Sequence, residues 1–581
     1  MSDIRQATAR SPSRVRSIAT WASLALVVSA LAYYVRPESP APRVNVRWSP
    51  EVDDRQRATL EARFHLRQGE FRDTRTWSYL IADTTSSNVE TLVTHPSVED
   101  THGIDRDSYA VEGAPGRFDG AGLALLLGLG MSTLAFIGVA GVRRGHLQQA
   151  PLSIWILAIF SIAYVLFFVY PVFLNSDHVM ASKADFPAGS PEVGVGMDVR
   201  TTIHFSRSWV EDGLSGIRPY NGYPPLAMLL YAALVPVPFE WAYALITAAT
   251  LLSYVFVVFV FPRYICPHGR ASPLLMLIGV TGVFSYGLRF EIERGQQNLI
   301  AMCLCYAAIA FYHYAARYRI LAYALFLMAI QLKVYPCMFV LMLIDRWRAL
   351  RENVVRFSML AVASTTLLFV LGPTIFMEFI GALISRFQTS GQLGEITIVN
   401  HSIKSGVVLW ARQAEKRQIL WPMEHAMTIQ FVLIACVLAC LGVILATAHR
   451  ANRKGVDVHL LVMTALSALL IPGISHDYTL PILTGPYAAL LLKYEPLIDQ
   501  ADTQRQRWHL LAPIVMCSAA YACLLFSPNY KPPFLAHNMP TLMAMVISVT
   551  WLSLASRNLP TGLTAFNDAP RRESEFSQYG A

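Results

Sequence analysis

Long apolar segments recur along most of this chain, and they constrain its fold more strongly than any other feature. A helix needs about 20 apolar residues to cross the hydrocarbon core of a bilayer, and in lipid only helices and closed barrels bond every backbone polar group. Apolar residues make up 54% of the chain, charged residues only 15%, and the mean hydropathy is +0.41. These values exclude an ordinary soluble protein and predict an α-helical polytopic membrane protein. The apolar segments lie near residues 18–34, 120–141, 152–174, 241–262, 272–288, 296–314, 320–345, 357–381, 427–448, 457–474, 478–494, 508–526 and 539–556.

The positive charge of the chain does not indicate a nucleic-acid partner. The formal net charge is +8, but arginines and lysines lie mostly in short loops beside apolar segments, where they orient a membrane protein. The eight cysteines fall in or next to apolar segments, with no CxxC or Cys/His ligand spacing. We therefore expect no disulfide framework, no metal site, no cofactor and no nucleic acid.

The first 118 residues divide into an anchor and a polar segment. Residues 1–35 carry four arginines ahead of the first apolar segment, and no small-residue cleavage site follows it. This favours a cytoplasmic N-terminus and an uncleaved transmembrane anchor over a signal peptide. In residues 36–118, VNVRW and TWSYLIAD alternate like strands, while DRQRATLEARF and SNVETLVTHP have helical patterns. Their β-α-β-α-β order predicts a small extracytoplasmic α+β domain of the ferredoxin-like type.

The membrane core is predicted to occupy residues 119–556. Segment 320–345 is too long for one crossing, and Lys333 in its middle predicts two half-length helices that meet at a polar break. With that division, and with the YPP segment at Tyr223 entering the membrane without crossing it, we expect about 14 crossings including the anchor. The polar residues 557–581 are predicted to form a cytoplasmic tail.

Charge predicts the orientation of the loops. Arginine-rich loops alternate with loops that carry unusual polar residues, and the arginine-rich set lies on the side of the N-terminus, which makes it cytoplasmic. The loops with Asp198, Gln296, Lys333, His401 and His476 then face outward. We expect one polar site on the extracytoplasmic face of a plasma membrane, facing the periplasm or the cell exterior.

Residues 175–225 are predicted to form an interfacial catalytic loop. Asp198 opens a segment whose apolar residues recur at helical spacing, so it can lie along the membrane surface, and the segment ends at Tyr223 before two prolines. A carboxylate at the water edge can act as general base for an attacking hydroxyl. The alternative is an ordinary interfacial loop.

A second group of residues is suited to binding phosphate. Lys333 is an ammonium at a helix break, although it can equally be a lysine that extends to the interface. The GQQN turn allows close backbone approach at its glycine and offers amide donors at a helix start, or it is only an N-cap. Nearby arginines can add charge, unless Glu291 and Glu293 pair with them. The candidates are Arg294, Gln296, Gln297, Asn298 and Lys333.

His401 and the pair His476-Asp477 lie in two later loops. A histidine there can contact phosphate or sugar, and a His-Asp pair can orient an acceptor. The alternative is structural, because a lone histidine is commonly a buried hydrogen-bonding group and an aspartate at a helix start can be a cap.

The ordered set of an aspartate followed by YPPLAMLL, GQQNL, QLKVYP, NHSIKSG and PGISHDYTLPIL resembles glycosyltransferase family 87 over roughly residues 150–500. That family comprises polyprenol-phosphate-sugar-dependent membrane glycosyltransferases of the GT-C type. The resemblance implies a GT-C-type transmembrane core and inverting transfer of a hexosyl, mannosyl-like, or pentosyl residue. The donor would be a polyprenyl-phosphate sugar, and the acceptor a hydroxyl of a glycolipid or polysaccharide on the extracytoplasmic side.

The resemblance also implies roles for particular residues. Asp198 matches the family's catalytic aspartate, with Asp177 as the competing match. Tyr223 would pack the wall of the site, His401 would contact phosphate or sugar, and His476 with Asp477 would orient the acceptor. The chain departs from the family pattern in its insert 36–118, in the second glutamine of GQQN and in a histidine where Asn-Gln-Ser is expected. These departures leave the acceptor open.

Two other functions compete with a glycosyltransferase. Broken helices with charges in the membrane also occur in transporters and flippases of lipid-linked or anionic substrates, although we find no inverted repeat between the halves of the chain. A scaffold is the other alternative, in which residues 36–118 recruit a partner and the membrane core has no activity.

Overall fold

The fold is described for the parts of the chain that carry the sheet and most of the apolar segments. The computed structural model describes residues 43–49, 52–64, 66–71, 76–81, 95, 98–102, 151–169, 196–212, 223–266, 272–389, 399–415, 418–451, 455–501, 503–527, 531 and 533–558. The first predicted anchor, the segment at 120–141 and most of the tail lie outside these residues.

The polar N-terminal segment contains a four-stranded antiparallel sheet. Its order is β2-β3-β1-β4, and helix α1 connects β1 to β2, so that β3 lies between the two strands joined by the helix. This is the split βαβ arrangement expected of a ferredoxin-like fold. The helix predicted at SNVETLVTHP lies outside the described residues, so the ferredoxin-like domain stays a prediction. The elements are β1 Arg43–Trp48, α1 Asp54–Arg63, β2 Leu66–Phe71, β3 Thr76–Ile81 and β4 Val98–His102.

The sequence analysis did not predict strand β2. Its sequence LRQGEF contains a glycine and three charged or amide side chains, so it lacks the apolar alternation by which β1 and β3 are recognised. Pairing with β3, including Leu66 opposite Ile81, stabilises β2 as an edge strand.

The rest of the described chain is helical, with several apolar helices, and this fits a polytopic membrane protein. By length and composition three helices can cross a membrane, or up to five if each bent pair is one span, within the described residues. The count of 14 crossings stays a prediction. The helices are α2 Leu152–Tyr164, α3 Met197–Asp212, α4 Pro225–Ala232, α5 Phe239–Ile265, α6 Ser272–Val283, α7 Tyr286–Arg294, α8 Asn298–Tyr314, α9 Arg319–Leu332, α10 Leu350–Leu368, α11 Pro373–Thr389, α12 Ile403–Glu415, α13 Ala426–Ala451, α14 Val458–Leu470, α15 Thr484–Asp499, α16 Gln504–Leu524 and α17 Met539–Ala555. Short helices cover Trp421–Glu424 and Pro533–Ala536, and 3-10 segments cover Ala316–Tyr318, Tyr335–Leu343, Asp477–Leu483 and Ser556–Asn558.

The core of the helical region is centred on α14, every residue of which is buried. Helices α13, α15 and α17 pack around α14, and α8 packs against α9 and α5. Tyr306 on α8 stacks on Phe261 with ring centroids 4.6 Å apart, and its hydroxyl donates to the carbonyl of Ile482 at 2.8 Å. A buried tyrosine hydroxyl needs such a partner, so α8 is held in register with the segment that follows α14.

Two of the apolar segments predicted from the sequence are bent in the structure. Helices α6 and α7 meet at 49°, and α10 and α11 meet at 106°. The second bend is at Gly372, which has a φ of 100° and is followed by Pro373. A left-handed residue ahead of a proline ends a helix, and apolar content alone does not reveal the change of direction.

The predicted break at Lys333 is present. Helix α9 ends at Leu332, Lys333 has extended backbone dihedrals, and a 3-10 segment follows from Tyr335. The side chain of Lys333 therefore leaves the chain at a junction between two helical segments, as the sequence predicted.

Candidate active site

The GQQN turn is built by the end of helix α7. Gly295 has a left-handed φ of 68°, and its amide donates to the carbonyl of Ile292 at 2.9 Å. The amide of Gln296 donates to the carbonyl of Glu291, also at 2.9 Å. This glycine-terminated cap reverses the chain in two residues, so that α8 can begin at Asn298.

The helix that carries Asp198 starts directly against this turn. The amide of Gly196, with φ 78°, donates to the carbonyl of Glu293 at 2.6 Å. A Cβ on Gly295 would lie 2.3 Å from Cγ2 of Val199, so α3 approaches the turn more closely than any side chain would allow. Two glycines far apart in sequence thus fix where Asp198 lies relative to Gln296.

The side-chain amide of Gln296 joins an acid, a base and an aromatic hydroxyl. Its Nε2 donates to Oδ2 of Asp198. Its Oε1 accepts from Nζ of Lys333 at 2.7 Å and from the hydroxyl of Tyr223 at 3.2 Å. Only one orientation of the amide satisfies all three partners, because an ammonium and a protonated phenol donate while a carboxylate accepts.

The aromatic ring of Tyr223 packs against one side of the Lys333 ammonium. Nζ of Lys333 lies 4.4 Å from the centroid of the Tyr223 ring, a cation–π geometry. Burial raises the pKa of the Tyr223 hydroxyl well above its usual range, and Tyr231 and Asp198 add to the rise. The hydroxyl therefore keeps its proton and acts as a donor.

The other two residues of the turn also face this region. Nε2 of Gln297 lies 3.5 Å from the carbonyl of Leu332, which ties the turn to the residue before Lys333. Asn298 is 1% exposed, its carbonyl accepts from the hydroxyl of Tyr335 at 3.2 Å, and its side-chain Nδ2 has no hydrogen-bond partner among the described residues. An unused amide donor at a helix start is suited to an anion.

A second polar network surrounds His401 and Asp477. Nδ1 of His401 is 2.9 Å from Oδ1 of Asp477, and its Nε2 is 2.9 Å from the hydroxyl of Ser475. Nδ2 of Asn538 donates to the same Oδ1 at 2.9 Å, and Nζ of Lys531 donates to Oδ1 of Asn538 at 2.5 Å. His401 and Asp477 are fully buried. Buried charges are tolerated when hydrogen bonds satisfy them. Among the described residues, this network satisfies them except at Oδ2 of Asp477.

Backbone contacts hold the two loops of this network together. Asn400 and His476 form an isolated antiparallel bridge, and the amide of His401 donates to the carbonyl of Ser475 at 2.8 Å. His476 and Tyr478 have ring centroids 5.3 Å apart, and Tyr478 meets Phe290 edge-on at 5.3 Å. Because Phe290 is in α7, the helix that leads to Gln296, the two networks are neighbours.

The structure thus brings most of the sequence candidates into two groups. Asp198, Tyr223, Gln296 and Lys333 form the first, with Gln297 and Asn298 in the same turn, and His401, His476 and Asp477 belong to the second. The guanidinium of Arg294 lies 5.7 Å from the centroid of the Phe290 ring. Asp177 lies outside the described residues.

Three residues near these networks were not identified as site residues from the sequence. Pairing of Glu291 with an arginine was left open by the sequence, and in the structure its Oε1 accepts from the amide of Leu299 at 2.7 Å. Lys531 and Asn538 complete the second network from the loop before α17. A sequence signal exists for Lys531, which precedes two prolines between apolar segments, much as Tyr223 does.

Comparison with known families identifies the region that holds the turn. The family model described as Glycosyltransferase family 87 matches residues 221–472. That range contains Tyr223, Gln296, Lys333 and His401, whereas Asp198 precedes it. No curated protein and no solved structure matches the chain. Residues 221–472 of the chain therefore match glycosyltransferase family 87, as the sequence resemblance predicted, and this match supports a membrane-bound glycosyltransferase.

Proposed function

We propose that this protein transfers a hexosyl, mannosyl-like, or pentosyl residue from a polyprenyl-phosphate sugar to a hydroxyl acceptor, with inversion, on the extracytoplasmic face of the plasma membrane. The acceptor is a glycolipid or a polysaccharide. Asp198 is the general base, and Lys333 with the Gln296–Asn298 turn receives the phosphate.

One observation carries the proposal: the hydrogen bonds that join Asp198 to Lys333 through the single amide of Gln296. Glycosyl transfer from a phosphate needs a carboxylate where the acceptor loses its proton and positive charge where the phosphate departs. The Gln296 amide holds the Asp198 carboxylate on one side and the Lys333 ammonium on the other. In this arrangement the two groups can act on opposite faces of the anomeric carbon.

Access supports Asp198 over Asp477 as the base. Asp198 is partly exposed, whereas Asp477 is 0% exposed and accepts from both His401 and Asn538. A general base must contact an incoming hydroxyl, and a carboxylate enclosed by its own protein partners cannot.

The reaction is then a single displacement. The acceptor oxygen forms a bond to the anomeric carbon as its proton moves to a carboxylate oxygen of Asp198. The bond from that carbon to the phosphate oxygen breaks on the opposite face, and the electron pair leaves with polyprenyl phosphate. Lys333 and the amide donors of the turn stabilise the charge on the departing phosphate.

We assign the second network to orientation of the acceptor. Tyr478, flanked by His476 and Phe290, offers an aromatic face to a sugar ring, and the buried Asp477 holds the loops around it in place. His401 orients Asp477 through its Nδ1, and Ser475 holds the other ring nitrogen. In this assignment Arg294 adds positive potential near the turn without contacting the phosphate.

The test is transfer of labelled sugar from polyprenyl-phosphate sugars by the purified protein in lipid. We expect Asp198→Asn to lower kcat by about 10³-fold or more while donor binding is retained, because a general base and its alignment are lost together. Glu240→Gln, which removes an exposed carboxylate at the start of α5, is the matched control and keeps full activity.

Two outcomes would overturn the assignment. Loss of transfer in Asp177→Asn with full activity in Asp198→Asn would move the base upstream. No transfer from any polyprenyl-phosphate sugar, together with movement of the donor across the bilayer, would identify a flippase or transporter.

A further inference from the structure

Glu291 is a buried carboxyl group that the proposed reaction does not use directly. It lies in α7, is 0% exposed, and its Oε1 accepts from the backbone amide of Leu299 at 2.7 Å. The amide of Asn298 also faces its carboxyl group. A carboxyl group seated on the first amides of a helix stabilises the start of that helix.

The same residue also holds the chain just before the helix. Its backbone carbonyl accepts from the amide of Gln296 at 2.9 Å. Glu291 therefore bonds to Gln296 through its backbone and to Leu299 through its side chain, so it spans the GQQN turn. These two contacts fix the position from which the Gln296 side chain reaches Asp198 and Lys333.

We propose that Glu291 is a positioning residue of the active site, whose side chain fixes the turn so that Gln296 donates to Asp198. The inference rests on the proposed function, since it gives Gln296 the task of orienting the base. In this role Glu291 acts on the base through the turn and the side chain of Gln296.

A turn that no longer holds Gln296 would leave the carboxylate of Asp198 misaligned with the acceptor hydroxyl, and a misaligned base lowers kcat. The readout is therefore kcat per folded molecule at saturating donor and acceptor. A variant that is only less stable would keep this value.

Two variants of similar size test whether the hydrogen bond to Leu299 matters. Glu291→Gln keeps an Oε1 acceptor for the Leu299 amide, and Glu291→Leu removes it. We expect Glu291→Leu to lower kcat by about 10²-fold, the effect of a displacement near 1 Å at a reacting group. Glu291→Gln should keep kcat near that of the wild type, even where its melting temperature falls.

Glu293→Leu is the matched control, since it removes a carboxylate from the same helix and keeps the Glu293 carbonyl that accepts from the amide of Gly196 at the start of α3. Equal kcat in Glu291→Leu and Glu293→Leu would overturn the inference. So would a Glu291→Gln variant as impaired as Glu291→Leu. Either result leaves the proposed function standing, because that function is tested separately, by transfer from polyprenyl-phosphate sugars and by the Asp198→Asn and Asp177→Asn variants.

Discussion

Replacing Gly295 by alanine tests whether the spacing between the GQQN turn and the helix of Asp198 determines the rate. The added Cβ would lie 2.3 Å from Cγ2 and 3.3 Å from Cβ of Val199. Carbon atoms rest about 3.5 Å apart or more, so Val199 and its helix must move by about 1 Å. Val199 is fully buried, which leaves its side chain little room to rotate away.

The cost has two parts. The left-handed φ of 68° is unfavourable for alanine by about 1–2 kcal/mol, which lowers stability whatever the neighbours do. A displacement of about 1 Å between Asp198 and its bound substrate lowers kcat by about 10²-fold, which corresponds to about 2.7 kcal/mol in the barrier. The clash therefore lowers the rate, while the strained backbone lowers the melting temperature.

A double variant separates the two parts. Gly295→Ala with Val199→Ala removes Cγ2, the closer of the two contacting atoms, and we expect kcat to recover by at least tenfold over Gly295→Ala, while the melting temperature stays low. The assay is sugar transfer in lipid beside thermal unfolding in detergent, with Val199→Ala alone as the control. Wild-type activity in Gly295→Ala, or no recovery in the double variant, would refute the spacing argument.

Three further predictions concern the two polar networks. Lys333→Gln should raise the KM for the donor by about tenfold or more with a smaller change for the acceptor, because the phosphate loses its ammonium; equal changes in both KM values would contradict that role. Asn538→Ala should lower the free energy of unfolding by about 2–3 kcal/mol, since Asp477 and Lys531 each lose a buried partner, and an unchanged thermal midpoint would argue against it. Burial lowers the pKa of Lys531 to about 8, from 10.5 in the unfolded chain. Between these pH values the unfolded state binds more protons, so wild-type stability should rise with pH relative to Lys531→Met, and parallel stability curves would exclude the shift.

Residues of the network around Gln296 could be predicted from the sequence because each is unusual in its own surroundings. Lys333 is a charge within an apolar segment, and a helix break is the physical solution to that conflict, so both the residue and the break at Leu332 could be predicted. Asp198 and Tyr223 stand at the ends of an amphipathic segment that precedes two prolines, and helix α3 begins where that pattern begins. The sequence did not reveal that the amide of Gln296 is the shared partner of Asp198, Tyr223 and Lys333. That contact depends on how closely three segments distant in sequence approach one another.

The features that escaped prediction depend on long-range geometry. The bend at Gly372 needs a left-handed residue, which composition does not distinguish from a glycine in a straight helix. Strand β2 is stabilised by its neighbour and has no pattern of its own. Glu291 resembles any helix carboxylate next to an arginine, and its bond to Leu299 becomes visible only once the chain reverses at Gly295.

The bonds of Asn538 also constrain the order in which the second network can form. Asp477 receives one of its partners from a residue 61 positions later, and Lys531 comes just before that partner in the chain. During synthesis Asp477 and His401 are therefore made before Asn538 and Lys531. A chain cut short before Lys531 would leave Asp477 without its bond from Asn538, at the cost of a buried polar group that lacks a partner. The segment from Lys531 to Asn538 thus completes the network around His401 only late in synthesis.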